Sequence, residues 1–257
     1  MNESGARMSK RPVVLITGAG RGIGAATARL AATRGFDVAV NYLSDEKAAA
    51  DVVAAVRMQG GAGLAVPGDM GLEADVERVF ATVDAELGPL THLVYNCGIT
   101  GRASRLEAAD SATMRQVLEI NVLGALWSVQ HAIRRMSKKR HGAGGAIVLL
   151  SSMAATLGGA SEYVWYAASK GAIESMTVGL SRELTSDAIR VNAVSPGMIA
   201  TDIHAAGGMP DRLERLGPAL PMARPGRPEE VAEAILFLLS DAASYITGTV
   251  LRVSGGR

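Results

Sequence analysis

The run Val13-Val14-Leu15-Ile16-Thr17-Gly18-Ala19-Gly20-Arg21-Gly22-Ile23-Gly24 decides the fold. Its first four residues are apolar without alternation, as in a strand covered on both faces. From Ile23 onward, Ala26, Thr27, Leu30 and Ala31 recur on one helical face, and Gly35 stands where glycine often ends a helix. Between strand and helix lie Gly18, Gly20, Gly22 and Gly24. Glycine lets the backbone turn sharply and approach a ligand closely. The helix start then aims free N–H groups and a positive dipole end at an anion. The spacing of Gly18, Gly22 and Gly24 is G-x-x-x-G-x-G; the pattern G-x-G-x-x-G fails at Ile23. A plain tight turn would use the same glycines. The turn's place after the first strand of a repeating pattern is what points to a pyrophosphate site.

That pattern continues along the chain. Apolar or β-branched runs at 38–40, 64–66, 93–95, 147–150, 189–194 and 250–253 read as further strands. Helical periodicity fits 23–34, 46–58, 73–87, 111–139, 163–186 and 228–240. The alternation predicts an α/β fold: a single doubly wound parallel sheet with helices on both faces. Residues 11–257 read as one domain after a polar tail at 1–10. The alternation lapses after about residue 199, where Gly207, Gly208, Pro210, Pro218 and Pro221 cluster. A long irregular insert in a compact domain is often functional, and 199–221 is expected to form a lid on the substrate side.

Composition excludes several classes. The chain has 257 residues, 48% hydrophobic and 20% charged, and its 26 basic and 25 acidic residues leave a net charge of +1. That is no basic footprint for nucleic acid. Cys97 is the only cysteine, so no internal disulfide forms, and no Cys/His spacing suits a metal. No apolar run reaches the length of a membrane span. The first residues lack the apolar core of a secretory signal. The expectation is a cytoplasmic protein without a metal, a nucleic-acid partner or a membrane anchor.

The second strand ends Val40-Asn41-Tyr42. A site that prefers NAD usually offers a carboxylate there to hold the adenosine ribose. Here Asn41 takes that place and Arg21 sits in the glycine turn, which suits a 2′-phosphate. NADP(H) is therefore favoured, with NAD(H) possible. Asp45 and Glu46 read as first-turn acids of the next helix, behind Ser44 as N-cap. Further along, Tyr166 and Lys170 are four residues apart in a helical pattern and share a face. A nearby ammonium favours phenolate and makes tyrosine usable as an acid or base at neutral pH. Ser151 and Ser152 end the strand at 147–150, where either hydroxyl can meet a carbonyl oxygen. Asn121 interrupts an apolar stripe of Met114, Val117, Leu118, Val122 and Ala125, so its carboxamide needs partners. Leu157, Tyr163, Trp165, Met198, His204 and Met209 are candidates for the substrate pocket.

Taken in order, these motifs resemble the short-chain dehydrogenase/reductase family from Thr17 to Gly256. The turn from Thr17 through Gly24 resembles its cofactor signature. Asp69 resembles its adenine-contacting aspartate, and Asn96-Cys97-Gly98-Ile99 the run after its fourth strand. Asn121-Val122-Leu123-Gly124, Ser152, and Tyr166 with Lys170 match the catalytic set. Pro196-Gly197-Met198-Ile199-Ala200-Thr201 resembles the segment that closes on the nicotinamide. Tyr95 and Cys97 depart from the usual Asn-Asn-Ala-Gly. The step from Ser152 to Tyr166 is one residue longer than usual, which a loop insertion at 158–164 would explain; Ser151 and Ser152 both stay open.

The resemblance implies a Rossmann-type fold and an oxidoreductase exchanging hydride between a nicotinamide and a small carbonyl/alcohol substrate. It implies that Tyr166 carries the proton, Ser152 binds the oxygen, Lys170 lowers the tyrosine pKa and holds the ribose, and Asn121 anchors a water. Gly18, Gly20, Arg21, Gly22, Ile23, Gly24, Asn41, Asp69, Asn96, Gly98, Pro196, Gly197, Ile199 and Thr201, with Tyr166 and Lys170, would contact the cofactor. It also implies a homotetramer paired through the helices at 111–139 and 163–186. A 3-oxoacyl-carrier-protein reductase and a sugar dehydrogenase are the alternatives within the family. A non-catalytic nucleotide-binding sensor is the alternative outside enzymes, and turnover on a carbonyl panel separates them.

Overall fold

A computed structural model describes residues 11–257; the expected tail at 1–10 lies outside the described residues. The chain runs β1 (Val13–Ile16), α1 (Gly22–Thr33), β2 (Asp37–Tyr42), α2 (Glu46–Met58), β3 (Gly63–Pro67), α3 (Glu73–Glu86) and β4 (His92–Tyr95). It continues through α4 (Ser111–Leu118), α5 (Gly124–Met136), β5 (Gly145–Leu150), α6 (Ala154–Leu157) and α7 (Val164–Glu183). The remainder is β6 (Ile189–Pro196), α8 (Ile203–Ala206), α9 (Arg212–Leu216), α10 (Pro228–Leu239) and β7 (Val250–Val253). The strands form one sheet in the order β3-β2-β1-β4-β5-β6-β7. Every pairing is parallel.

Alternate side chains of each strand leave opposite faces of a pleated sheet, and here both faces are apolar. Val14, Ile16, Val38 and Val40 pack with α1, α2 and α10. Val13, Leu15, Leu93 and Tyr95 pack with α3, α5 and α7. This explains why the strands read as continuous apolar runs. The order of strands reverses between β1 and β4, and at that point a crevice opens beyond their carboxyl ends.

Three local expectations change. The helix expected at 111–139 is divided by a π turn, Glu119–Leu123, and α5 ends at Met136. The wide turn lets the Tyr95 hydroxyl donate to the Ile120 carbonyl at 2.5 Å. Tyr95, a departure from the family pattern, thus braces the turn that carries Asn121. Second, the N-cap of α2 is Asp45 rather than Ser44: its carboxylate accepts from the Ala48 N–H at 3.0 Å. Third, the insert after β6 is not wholly irregular, since α8 and α9 lie within it. Between Ser152 and Tyr166 the chain forms a loop where Gly158, Gly159 and Ser161 all have positive φ. No helix among the described residues is long and apolar enough to cross a membrane.

Candidate active site

The crevice is a cavity of about 1150 Å³. Its cofactor half is made largely of backbone. Gly18 turns the chain at φ +60°, and Gly22 at φ +56°. A Cβ on Gly24 would stand 2.7 Å from the Gly18 carbonyl oxygen and 2.7 Å from Asn96 Nδ2, so only glycine lets α1 start so close to the turn. The α1 N-cap, Arg21, makes no side-chain cap, and the first turn holds no acidic residue. Its free N–H groups and dipole are left to an anion, so the cradle fits a dinucleotide pyrophosphate.

Asparagines hold this turn from beneath. Asn96 Nδ2 donates to the carbonyls of Thr17 and Gly18 at 2.9 and 3.1 Å. The Thr17 hydroxyl accepts the N–H groups of Asn96 and Cys97, each at 3.0 Å. Asn41 is buried; its Oδ1 accepts from the Gly18 N–H at 3.1 Å, and its Nδ2 donates to the carbonyls of Val66 and Gly68. Both amide protons are committed, so Asn41 braces the turn while its side chain borders the cavity. Arg21 is well exposed, leaning toward Asp202 at 3.8 Å. Asp69 Oδ1 accepts from the Gly71 N–H. Gly20, Ile23, Asp69, Gly98, Pro196, Gly197, Ile199 and Thr201 all line the cavity. The Thr201 methyl lies over Gly22, which brings the segment after β6 across the glycine turn.

At the other end, Tyr166 and Lys170 sit on the first turns of α7 and are 7% and 4% exposed. Lys170 Nζ lies 5.7 Å from the Tyr166 ring centre and donates to the Leu150 carbonyl at 2.7 Å. The two serines separate. Ser151 donates to Glu174 Oε1 at 2.9 Å, away from Tyr166. Ser152 Oγ accepts from the Ala154 N–H at 3.1 Å and lies close enough to the Tyr166 hydroxyl to act on its ionisation. Asn121 is buried with its carboxamide fully engaged: Oδ1 accepts from the Ile99 N–H, and Nδ2 donates to the Ile99 carbonyl and to Ser169 Oγ. Ser169 donates in turn to the Tyr166 carbonyl at 2.7 Å. Asn121 therefore stands behind the site, joining the loop after β4 to α7.

Burial governs the electrostatics. It pushes the Tyr166 phenol up to about 12, against a smaller downward pull from the nearby Ser152 hydroxyl. It pushes the Lys170 ammonium down to about 8. The expected lowering of the tyrosine by Lys170 is not seen: desolvation dominates and disfavours the charged form of each.

Of the candidate pocket residues, Leu157, Tyr163, Met198, His204 and Met209 line the cavity. Trp165 does not: it is buried, and its indole N–H donates to the Thr100 carbonyl at 2.8 Å. Sequence reading missed Glu162 and Arg212, which both line the cavity and pair with each other at 2.6 Å. They are distant in sequence, and no motif marks them.

A glycine cradle at the switch point of a parallel sheet, facing a buried tyrosine and lysine, defines a nicotinamide-dependent oxidoreductase. The family model described as enoyl-(acyl carrier protein) reductase matches residues 18–257. The chain is 44% identical to the oxidoreductase YgfF of Escherichia coli, over 95% of this chain and 99% of that one. It is 40% identical to a cis-4-hydroxycyclohexanecarboxylate dehydrogenase of Sinomonas cyclohexanicum, over 95% of each. It is 35% identical to the 3-oxoacyl-[acyl-carrier-protein] reductase FabG of Staphylococcus aureus, over 94% of this chain and 96% of that one. A short-chain dehydrogenase/reductase of Mycobacterium marinum superposes with a TM-score of 0.89 at 31% identity, covering 95% of this chain and 94% of that one. A metagenomic blue fluorescent protein in complex with NADPH does so at 0.87 and 32%, covering 95% and 97%. The chain belongs to the short-chain dehydrogenase/reductase family and is a nicotinamide-dependent oxidoreductase.

The phenol's high pKa sets a directional pH dependence if Tyr166 is the proton carrier. Reduction uses the neutral phenol, present throughout the neutral range; oxidation uses the phenolate. Below the phenol's pKa in the ternary complex, kcat for oxidation should rise about tenfold per pH unit while kcat for reduction stays level. Parallel profiles of equal slope in both directions would remove Tyr166 from the proton path.

Proposed function

We propose that the enzyme interconverts a small ketone or aldehyde and its alcohol with NADP(H), and that Tyr166 is the acid/base. The observation that carries this reading is the buried Tyr166, with Ser152 and Lys170 beside it in the cavity wall. A bound nicotinamide supplies or accepts the hydride. Ser152 and Tyr166 converge on the substrate oxygen: Ser152 orients it, and Tyr166 donates the proton as the oxygen gains charge. In oxidation the phenolate withdraws that proton. Lys170 holds the nicotinamide ribose and, with the positive ring of the oxidised cofactor, stabilises the phenolate. Asn121 keeps the loop after β4 against α7. Two hydroxyls meeting at one oxygen favour a C=O substrate over a C=C one.

Tyr166→Phe keeps the ring and its packing, so it should leave cofactor affinity within about twofold while kcat falls about 10²–10⁴-fold. The panel is a simple ketone, a sugar, a 3-oxoacyl thioester, an enoyl thioester and cis-4-hydroxycyclohexanecarboxylate, each with both nicotinamides. Wild-type-like turnover in the Phe variant, or turnover of the enoyl thioester alone, would overturn the reading.

The preference for NADP(H) rests on the charges around the adenosine end. Asn41 brings no carboxylate to the end of β2, and Asp45 turns its carboxylate onto the Ala48 N–H. Arg21 is exposed and held only by a long contact with an equally exposed Asp202. Its guanidinium is free to meet a 2′-phosphate, a charge-assisted bond worth roughly 1.5–3 kcal/mol. Arg21→Ala should weaken NADP(H) about tenfold to hundredfold more than NAD(H) in direct binding titrations. Equal weakening of both would refute the assignment. Asn41→Asp is a poorer probe, since its carboxylate would face the Val66 and Gly68 carbonyls and disturb the turn for either cofactor.

Cytoplasmic residence belongs to the same reading, because a reducing compartment keeps a lone thiol such as Cys97 free. So does a homotetramer. Leu118 at the end of α4, Leu123 in the π turn and Leu126 on α5, with Val164 and Val178 on α7, are exposed apolar side chains on the two stretches expected to pair. Light scattering at micromolar concentration should give four times the chain mass of 26.6 kDa; a monomer mass would exclude the assembly.

A further inference from the structure

Arg212 is the least expected side chain in the cavity wall. It is carried by the five-residue helix α9 in the insert after β6, yet it is only 3% exposed. A buried guanidinium is costly unless its donors are satisfied, and here they are. Nη1 and Nη2 donate to the two oxygens of Glu162 at 2.6 and 2.7 Å, and Nη2 also donates to the Tyr163 hydroxyl at 2.8 Å. The guanidinium lies 5.4 Å from the centre of the Tyr163 ring. Glu162 and Tyr163 immediately precede α7, the helix whose third residue is Tyr166. The Tyr163 ring meets the Tyr166 ring edge-on, with centres 5.5 Å apart and planes at 90°. The insert and the tyrosine therefore join through one unbroken chain of contacts: Arg212, Tyr163, Tyr166.

Each link restricts the next. The paired bonds to Glu162 fix the plane of the guanidinium, and the third bond fixes the Tyr163 hydroxyl. A ring anchored at its hydroxyl cannot swing away from its neighbour. The Tyr166 ring is thus braced, through Tyr163, by a residue that belongs to another segment of the chain.

We propose that Arg212 is a positioning residue that makes the orientation of Tyr166 depend on docking of the 199–221 segment over the cavity. With the segment docked, Tyr163 is clamped and Tyr166 is held toward the substrate oxygen. With it undocked, Tyr163 loses its anchor, and proton transfer waits. The proposal rests on the reading of Tyr166 as acid/base, and its test has one arm that does not need turnover.

Three variants test it. Arg212→Ala should lower kcat about ten- to hundredfold, because small misplacements of a reacting group are expensive. Amide hydrogen exchange should rise both at 203–216 and at 163–168, and the NADP(H) dissociation constant should stay within about twofold. Tyr163→Phe keeps the ring and the Arg212–Glu162 pair. It should lower kcat with exchange at 203–216 unchanged, an effect that loosening of the insert does not produce. The double variant should be no slower than Arg212→Ala within about twofold, since the two changes cut one chain of contacts. A Tyr163→Phe enzyme with wild-type kcat, fully multiplicative effects in the double variant, or an Arg212→Ala enzyme altered only in KM would overturn the proposal. Exchange that rises at 203–216 but not at 163–168 would overturn it too, whether or not the wild type turns over any carbonyl. Absence of carbonyl turnover in the wild type, with both segments loosened together, would instead strike the acid/base reading and leave the coupling standing.

Discussion

The structure depends on how the polar groups at the end of β1 are satisfied. Beyond Ile16 the chain leaves the sheet: the N–H groups of Thr17 and Ala19 still reach the carbonyls of Val94 and Asn41, but the Thr17 and Gly18 carbonyls and the Gly18 N–H turn to side chains. Buried, they would be costly without replacements. Thr17, Asn41 and Asn96 supply them: a hydroxyl accepts from the strand on one side, a carboxamide donates back, and a second carboxamide reaches across to β3. Four strand ends are tied at one point without a covering loop. Because the ties come from below, the upper surface of the turn is bare backbone, and bare backbone with inward N–H groups is what a pyrophosphate needs. The stability of the sheet edge and the capacity to bind a dinucleotide are one arrangement.

The same economy of water shapes the reacting end. Tyr166 and Lys170 are both buried, and burial pushes each toward its neutral form. An isolated phenol and amine in this position would make a poor base. What changes the balance is added positive charge nearby, since in a site of low dielectric a charge acts over a longer range than in water. On the proposed reading, a bound oxidised nicotinamide would supply such a charge beside Tyr166 and favour the phenolate, while Lys170 is the cation the chain itself places there.

The fold was largely legible because the sheet is buried on both faces. Apolar runs without alternation marked all seven strands, and β1 and β7 keep the expected ends. Periodicity could not see the π turn at 119–123, since one extra residue in a helix barely shifts an apolar stripe. It placed the cap at Ser44 instead of Asp45, because both residue types serve and only the turn geometry decides. Trp165 was misplaced toward the cavity because its neighbour Tyr166 points there, while its own indole N–H turns to Thr100. Tyr166 and Lys170 stood out by their spacing, and strand position pointed to Ser151 and Ser152 without choosing between them. Asn121 was visible as a polar break in an apolar stripe, although its partners were not.

The two halves of the cavity differ in how they are built, and this decides what a sequence can say of them. The cofactor half is backbone geometry, which demands glycine at fixed spacing and small amides at fixed strand ends, so it leaves a pattern. The substrate half is side chains brought together from the loop after β5, the start of α7 and the insert after β6. Met153, Met198 and Met209 form part of its wall, and methionine adapts its shape to what it meets. Such a surface tolerates exchange of one apolar residue for another without loss of fold, so no spacing rule marks it. The ion pair of Arg212 with Glu162, 50 residues apart, ties the insert after β6 to the residues before α7, a link made by tertiary contact alone and so invisible to any local pattern.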